Sequence, residues 1–350
     1  MTGASPRDIV ILVSDTVVPR PTSPAGAHRI SVVLTMRPAT LADHLLDDAL
    51  RRRLDAVADV HPEVLTDLDT PDARAALSTA DVLLTGWGAP PLPDETFIAA
   101  PRLRAVLHAG GDAWHLLGPR ARAADLIVTN SRAANSIPVA EYAQAMIVLA
   151  GKQVLPAARR YAALRGHLDR EEHFPDAGNY RRRVGIVGAS TTGRLTIELL
   201  RPFDLDVVVH DPYLSPDEAA ALGVSLAELD DLVSSCDVVS IHAPDLPETR
   251  HLFDARRLAL LPDGSTLINT ARGALVDTDA LVAELRTGRL DAILDVTDPE
   301  PLPPEHPLWA LENALLTPHV AGSMGNELLR LGDAVVSEVE RLAVRLVPAQ

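Results

Sequence analysis

The sequence predicts an α/β protein made of two doubly wound parallel-sheet units. Short β-rich runs alternate with Ala-, Leu- and Arg-rich helical stretches twice along the chain. The second alternation opens on a glycine turn between a strand and a helix. A length of 350 residues, 47% of them hydrophobic, gives room for two ordinary cores at roughly 100 to 200 residues each.

In the first unit the strand candidates are 31–34, 81–84, 103–108 and 126–128, separated by helical segments. In the second they are 184–187, 206–210, 238–242, 265–269, 291–296 and 314–316. Between these strands, Ser225 with Glu228 reads as a capping box, and Asp277 starts a helix that Gly288 stops. Val139, Ala143, Met146, Ile147 and Ala150 recur at helical spacing between the units. Leu328, Leu331, Val335, Val339, Leu342 and Leu346 do so at the chain's end. Both helices have a face to bury, and the last one is free to pack back on the first unit. The polar stretch 166–183 reads as a surface connection and 299–307 as a rigid proline-rich loop.

Composition narrows the function. The 32 Lys and Arg stand against 48 Asp and Glu, a net charge of -16, which repels polyphosphate and anionic lipid and argues against nucleic acid or a membrane surface as partner. Cys236 is the one cysteine, so a disulfide framework and a multi-cysteine zinc site are excluded, and a reducing compartment is expected. The twelve histidines form no close pair with ligand spacing, so no metal is expected. The start of the chain has only the short apolar piece Ile9 to Val13 and no signal architecture; the expected location is the cytoplasm.

The strand 184–187 runs into Gly188-Ala189-Ser190-Thr191-Thr192-Gly193, a dinucleotide turn in which small residues admit a pyrophosphate to a helix N-terminus. Ser190 replaces the usual second glycine, bringing a Cβ toward the phosphates and a hydroxyl that can donate to them. The next strand ends at Asp211, roughly 20 residues on, where an acid hydrogen-bonds the adenosine ribose and repels a 2′-phosphate. NAD is therefore favoured over NADP.

Three later segments place polar groups after buried strands, where open sheets bind ligands: 268–273 with Arg272, 294–301 with Asp295 and Glu300, and 316–319 with His319. Singly, each has a plain structural explanation. Together they form a set: an arginine grips a carboxylate with two prongs, a histidine exchanges a proton near neutral pH, and a glutamate fixes that histidine's tautomer.

With these residues in place, the chain resembles the D-isomer-specific 2-hydroxyacid dehydrogenases over nearly its whole length. The likeness lies in 184–194, in His242-Ala243-Pro244 with Thr249, in NTARGALVDTDAL from Asn269, in DVTDPEPLPPEHPLW from Asp295 and in TPHVAGS from Thr317. The resemblance implies a Rossmann NAD-binding domain over 135–319. A flavodoxin-like substrate-binding domain would comprise 1–134 and 320–350, closed by the C-terminal helix. It implies a small 2-oxo or 2-hydroxy acid as substrate, with Arg272 binding and polarising it, His319 as acid/base and Glu300 as its partner. Asp295 would hold the nicotinamide carboxamide. Gly188, Ser190, Thr191, Thr192, Gly193, Asp211, His242, Ala243, Pro244, Thr249, Thr270, Ala271, His319 and Gly322 would line the cofactor site. Ala109, Gly110 and Gly111 would receive the substrate carboxylate. A homodimer is also implied. Thr191 and Thr297 depart from the family's usual arginine and aromatic residue, and Trp114 stands near an expected acid, so the substrate's identity is not carried over. The altered turn at 190–192 leaves a second reading, a corepressor-like protein that senses NAD without turnover.

Overall fold

The computed structural model describes residues 29–119, 122 and 126–346; the apolar piece Ile9 to Val13 lies outside them. Two sheets form, each parallel throughout. The first comprises β1 (Ile30–Thr35), β2 (Ala58–Val60), β3 (Val82–Gly86), β4 (Ala105–Ala109) and β5 (Ile127–Asn130), in the order β2-β1-β3-β4-β5. The second comprises β6 (Arg182–Val187), β7 (Leu205–His210), β8 (Ser225–Leu226), β9 (Val238–Ile241), β10 (Thr266–Asn269), β11 (Asp291–Leu294) and β12 (Ala314–Leu316). Its order is β12-β11-β10-β9-β6-β7-β8. These are the flavodoxin-like and Rossmann strand orders. Each reverses beside its first strand, between β1 and β3 and between β6 and β9, and ligands enter such sheets at the carboxyl ends there.

The central strands are runs of Val, Leu and Ile buried on both faces, as helix-covered parallel sheets require. The edge strands β2 and β8 carry exposed residues and are three and two residues long, and neither was among the strand candidates. At β8 the expected capping box gives way: Ser225 pairs with Val208, and Glu228 precedes helix Leu229–Ser235 without a side-chain cap. The box forms instead at Ser215 and Glu218, ahead of helix Pro216–Leu222. Asp277 accepts from the Ala280 amide and starts helix Thr278–Arg286 as its position predicts.

The C-terminal helix Leu328–Leu346 lies on the first sheet, where Leu331, Val335, Val336, Val339 and Leu342 join one core with Val32, Leu34, Leu50 and Leu54. A Cβ on Gly332 would strike the Leu45 carbonyl, so glycine lets this helix come close. Five aliphatic side chains at about 1.5 to 3 kcal/mol each give an upper bound on the order of 10 kcal/mol for the seam.

Helix Arg132–Gly151 runs between the sheets. It packs on helix Thr191–Leu200, on β9 and β10, and on the C-terminal helix. Among the described residues, no helix is long and apolar enough to cross a membrane.

Candidate active site

The glycine turn is built by close backbone approach. Gly188 follows β6 at φ +102°, a left-handed value that favours glycine, and a Cβ there would lie 2.6 Å from the Ala243 amide nitrogen. A Cβ on Gly193 would strike the Gly188 carbonyl. Ser190 caps the helix, its Oγ accepting from the Gly193 amide at 3.3 Å and donating to the His242 carbonyl at 2.9 Å. The hydroxyl proton expected for a pyrophosphate is thus engaged by the neighbouring strand. Thr192 leans the other way, its hydroxyl 3.1 Å from that of Ser136 on the helix between the sheets.

Asp211 follows β7 and reaches back: one carboxylate oxygen accepts from the Ala189 amide at 2.7 Å, the other from the Tyr213 amide at 2.8 Å. It braces the turn from the position where the motif expects an acid. His242 directs its ring into the core, Nε2 lying 2.9 Å from the Ser240 hydroxyl, and burial pushes its pKa down to about 4. Its ring is a packing group, and what it offers the turn is its backbone. The Thr249 hydroxyl closes the 244–249 loop by donating to the Pro244 carbonyl at 2.6 Å.

At the end of β10, Asn269 holds the next turn through the Ala271 amide and the Arg272 carbonyl. The Thr270 hydroxyl, in the turn after β10, is buried and has no protein partner, an orphaned polar group at one of the positions that the motif assigns to the dinucleotide site. The turn, the helix N-terminus, Asp211 and this hydroxyl together fit that cofactor. Arg272 is exposed, and its Nη1 donates to the carbonyl of its neighbour Ala271 at 2.6 Å. Gly273 abuts the backbone of Thr297 and Asp298, which places the Arg272 turn against the loop carrying Glu300.

The expected contact between His319 and Glu300 is made. His319 Nδ1 lies 2.9 Å from Glu300 Oε1, with the two side chains 48% and 42% exposed. A carboxylate only accepts, so Nδ1–H donates and Nε2 is the nitrogen left for chemistry. His319 has φ +55°, a conformation that costs a non-glycine residue about 1 to 2 kcal/mol. Asp295 holds it there. Only 1% exposed, its carboxylate accepts from the Val320 amide at 2.8 Å, the Ala321 amide at 2.9 Å and the Thr317 hydroxyl at 2.7 Å. The expected grip on a carboxamide has to share a carboxylate that already has three donors.

The first steps of helix Arg132–Gly151 gather both sheets. The Ser131 amide donates to the carbonyls of His108 and Gly110, each at 3.0 Å. Asn135 Oδ1 accepts from the Ser323 amide at 2.9 Å, and Gly322 packs on the same side chain. Gly110, Thr192 and Gly322 thereby meet within two turns of one helix. Gly111 has open space where a Cβ would stand, whereas one on Gly110 would lie 2.5 Å from His108 Nε2 and 2.9 Å from Trp87 Nε1. His108 Nδ1 lies 2.8 Å from the Thr85 hydroxyl, and burial pushes its ring down to about 4. His108, Ser136 and Tyr142 carry no motif signal, and only their spatial neighbours single them out; Thr317 opens the TPHVAGS motif, which gives no hint of its contact with Tyr142.

The sequence model described as "D-isomer specific 2-hydroxyacid dehydrogenase, NAD binding domain" matches residues 145–321. Over 286 residues the chain is 35% identical to a D-3-phosphoglycerate dehydrogenase of Mycobacterium leprae, covering 80% of this chain and 53% of that protein. It thus spans about half the length of this relative. It is 32% identical over 232 residues to a glyoxylate reductase of Thermofilum pendens, covering 65% of this chain and 68% of that one. The solved TT0316 protein from Thermus thermophilus superposes with a TM-score of 0.67 at 30% identity, over 88% of this chain and 94% of its own. In its two parallel sheets, its glycine turn and its ordered motifs, this chain belongs to the D-isomer specific 2-hydroxyacid dehydrogenase family.

Proposed function

We propose that this chain is an NAD-dependent oxidoreductase that moves a hydride between the nicotinamide and C2 of a small 2-hydroxy or 2-oxo acid, with His319 as acid/base. The single observation that carries this reading is the 2.9 Å contact from His319 Nδ1 to Glu300, which leaves Nε2 free at the carboxyl end of the sheet. The names of the two relatives fit: D-3-phosphoglycerate is a 2-hydroxy acid and glyoxylate a 2-oxo acid.

Bound NADH supplies the hydride. The chain supplies position and charge. Residues 135–319 hold the cofactor, with the pyrophosphate at the N-terminus of helix Thr191–Leu200 and the ribose beside Asp211. Residues 1–134 and 320–350 hold the acid, whose carboxylate meets the amides at Ala109, Gly110 and Gly111. Arg272 exchanges its local bond to Ala271 for the substrate, orienting it and stabilising oxygen charge as C2 is reduced. The proton on His319 Nε2 passes to that oxygen, and Glu300 steadies the ring throughout. In oxidation both transfers reverse. Closure of the lobes about the helix that begins at Arg132 excludes water. Helix Val154–Leu164 buries none of its residues and exposes Tyr161 and Leu164, and we assign it to the interface of a homodimer. The cytoplasm is the location consistent with this chemistry.

The test is loss of nicotinamide absorbance with NADH and glyoxylate, pyruvate, hydroxypyruvate or 3-phosphohydroxypyruvate. At least one acid turns over, and His319→Ala lowers kcat by about 100- to 10,000-fold while NADH still binds. Unchanged turnover in the variant would remove His319 from the mechanism. NADH binding without turnover on any acid would remove the hydride transfer.

A further inference from the structure

We propose that Tyr142, Thr317 and Asp295 form a clamp that positions His319, so that the helix between the lobes itself fixes the acid/base. The inference rests on the role given to His319 above, and it concerns residues that do not touch the reacting atoms.

Proton bookkeeping orders the clamp. The Asp295 carboxylate only accepts, so the Thr317 hydroxyl proton, 2.7 Å away, is directed to it. Thr317 Oγ1 is then left as acceptor for the Tyr142 hydroxyl at 2.9 Å, which must donate. Burial raises the Tyr142 pKa and keeps the phenol protonated for that purpose. Asp295 gathers donors from both sides of His319: the Thr317 hydroxyl before it, and the Val320 and Ala321 amides after it. The His319 amide itself donates to the carbonyls of Asp295 and Thr317, each at 3.0 Å. A histidine held at φ +55° needs such surroundings, since nothing in its own backbone preference keeps it there.

The helix side of the clamp is equally specific. Tyr142 and Asn135 are seven positions apart, two turns, and so share one face of helix Arg132–Gly151. Tyr142 grips the segment at Thr317 and Asn135 grips it at Ser323, with His319 between the two grips. The same helix holds Gly110 through Ser131 and the cofactor turn through Ser136. The imidazole is thereby referenced to the element that both substrate and cofactor segments contact.

The experiment compares Tyr142→Phe, Thr317→Val and Thr317→Ser with the wild type, full-length, by steady-state kinetics and by amide exchange read by NMR. Tyr142→Phe and Thr317→Val each lower kcat by about 10-fold or more, since a displacement near 1 Å costs on the order of 100-fold. KM for NADH stays as in the wild type, Thr317→Val lowers Tm because it strips a donor from buried Asp295, and Thr317→Ser, which keeps the hydroxyl, restores both kcat and Tm. Without cofactor or substrate, exchange of the His319, Val320 and Ala321 amides accelerates in both damaging variants while that of β9 and β10 does not. The proposal is overturned if kcat stays within twofold in both, if Thr317→Ser is as impaired as Thr317→Val, or if faster exchange spreads through the whole lobe. Should Thr317→Val fail to fold, Tyr142→Phe with Thr317→Ser decides the same question. If the wild type reduces no acid, the hydride-transfer reading fails, and the exchange measurement still judges the clamp.

Discussion

Lowering the pH from 7.5 to 5 should destabilise this protein through His242, and the size of the loss follows from its burial. The ring is in the core against Ser240 and holds its proton only below about 4, whereas an imidazole in the unfolded chain titrates near 6.5. Between those two values the unfolded state binds more protons than the folded one, so stability rises with pH across the window and falls on acidification. Above 6.5 the contribution is complete, and below about 4 it is gone. The gap amounts to about 3 kcal/mol in all, of which about 2 kcal/mol is lost by pH 5. Acids held low by ion pairs act elsewhere: Asp230, kept near 2 by Arg256 and then Arg257, sheds its share only below the ordinary carboxylate range. The assay is urea unfolding of the wild type and His242→Gln at several pH values. The variant lacks the titration, and other groups cancel in the difference. The advantage of wild type over variant therefore shrinks by about 2 kcal/mol between pH 7.5 and pH 5. A difference that stays flat across that range would refute a buried neutral imidazole at this position. His108, pushed down to about 4 chiefly by burial, gives a second histidine with the same sign and window.

Gly193→Ala drives a methyl group into the Gly188 carbonyl, and the backbone has to move. It lowers stability by about 1 to 3 kcal/mol and weakens NADH binding, read by urea unfolding and by cofactor fluorescence. Asp211→Ser removes a carboxylate that both braces the Ala189 amide and repels a 2′-phosphate. The ratio of kcat/KM for NADPH to that for NADH rises by about 10-fold or more, with NADH itself used less well. An unchanged ratio would take Asp211 out of cofactor selection.

The sequence was most legible where one physical rule acts alone. Runs such as Val-Val-Ser-Ile in β9 and Thr-Leu-Ile-Asn in β10 read as strands because burial on both faces favours short runs of mostly apolar and β-branched residues. β2, with Ala58-Asp59-Val60, and β8, with Ser225-Leu226, are edge pieces too short to show a period, so neighbouring strands alone define them. The misplaced capping box has the same origin: Ser225 and Glu228 have the right spacing, yet pairing with Val208 recruits Ser225 into the sheet first.

At the candidate site the legible part was chemistry at strand ends, and the illegible part was direction. Motif spacing puts Glu300 and His319 on adjoining strand ends, and they meet at 2.9 Å. It puts Asp295 beside them too, but a motif does not say where a carboxylate points, and this one turns inward to three donors from 317–321. Ser190 and His242 follow the same logic: each is part of the turn, and each commits its polar side chain to protein partners. A buried polar group left unpaired carries a penalty of about 1 to 3 kcal/mol, so the fold satisfies internally whatever it can before a ligand arrives. Among the described residues of the site, His319 Nε2, the buried Thr270 and Ser323 hydroxyls and the clear space beside Gly111 stay without a protein partner. On the function proposed above, that remainder supplies a proton donor and a receptor for a carboxylate, the two groups that reducing a 2-oxo acid requires, and one helix contacts both segments: Asn135 and Tyr142 meet the segment that carries His319, and the Ser131 amide at its start meets Gly110.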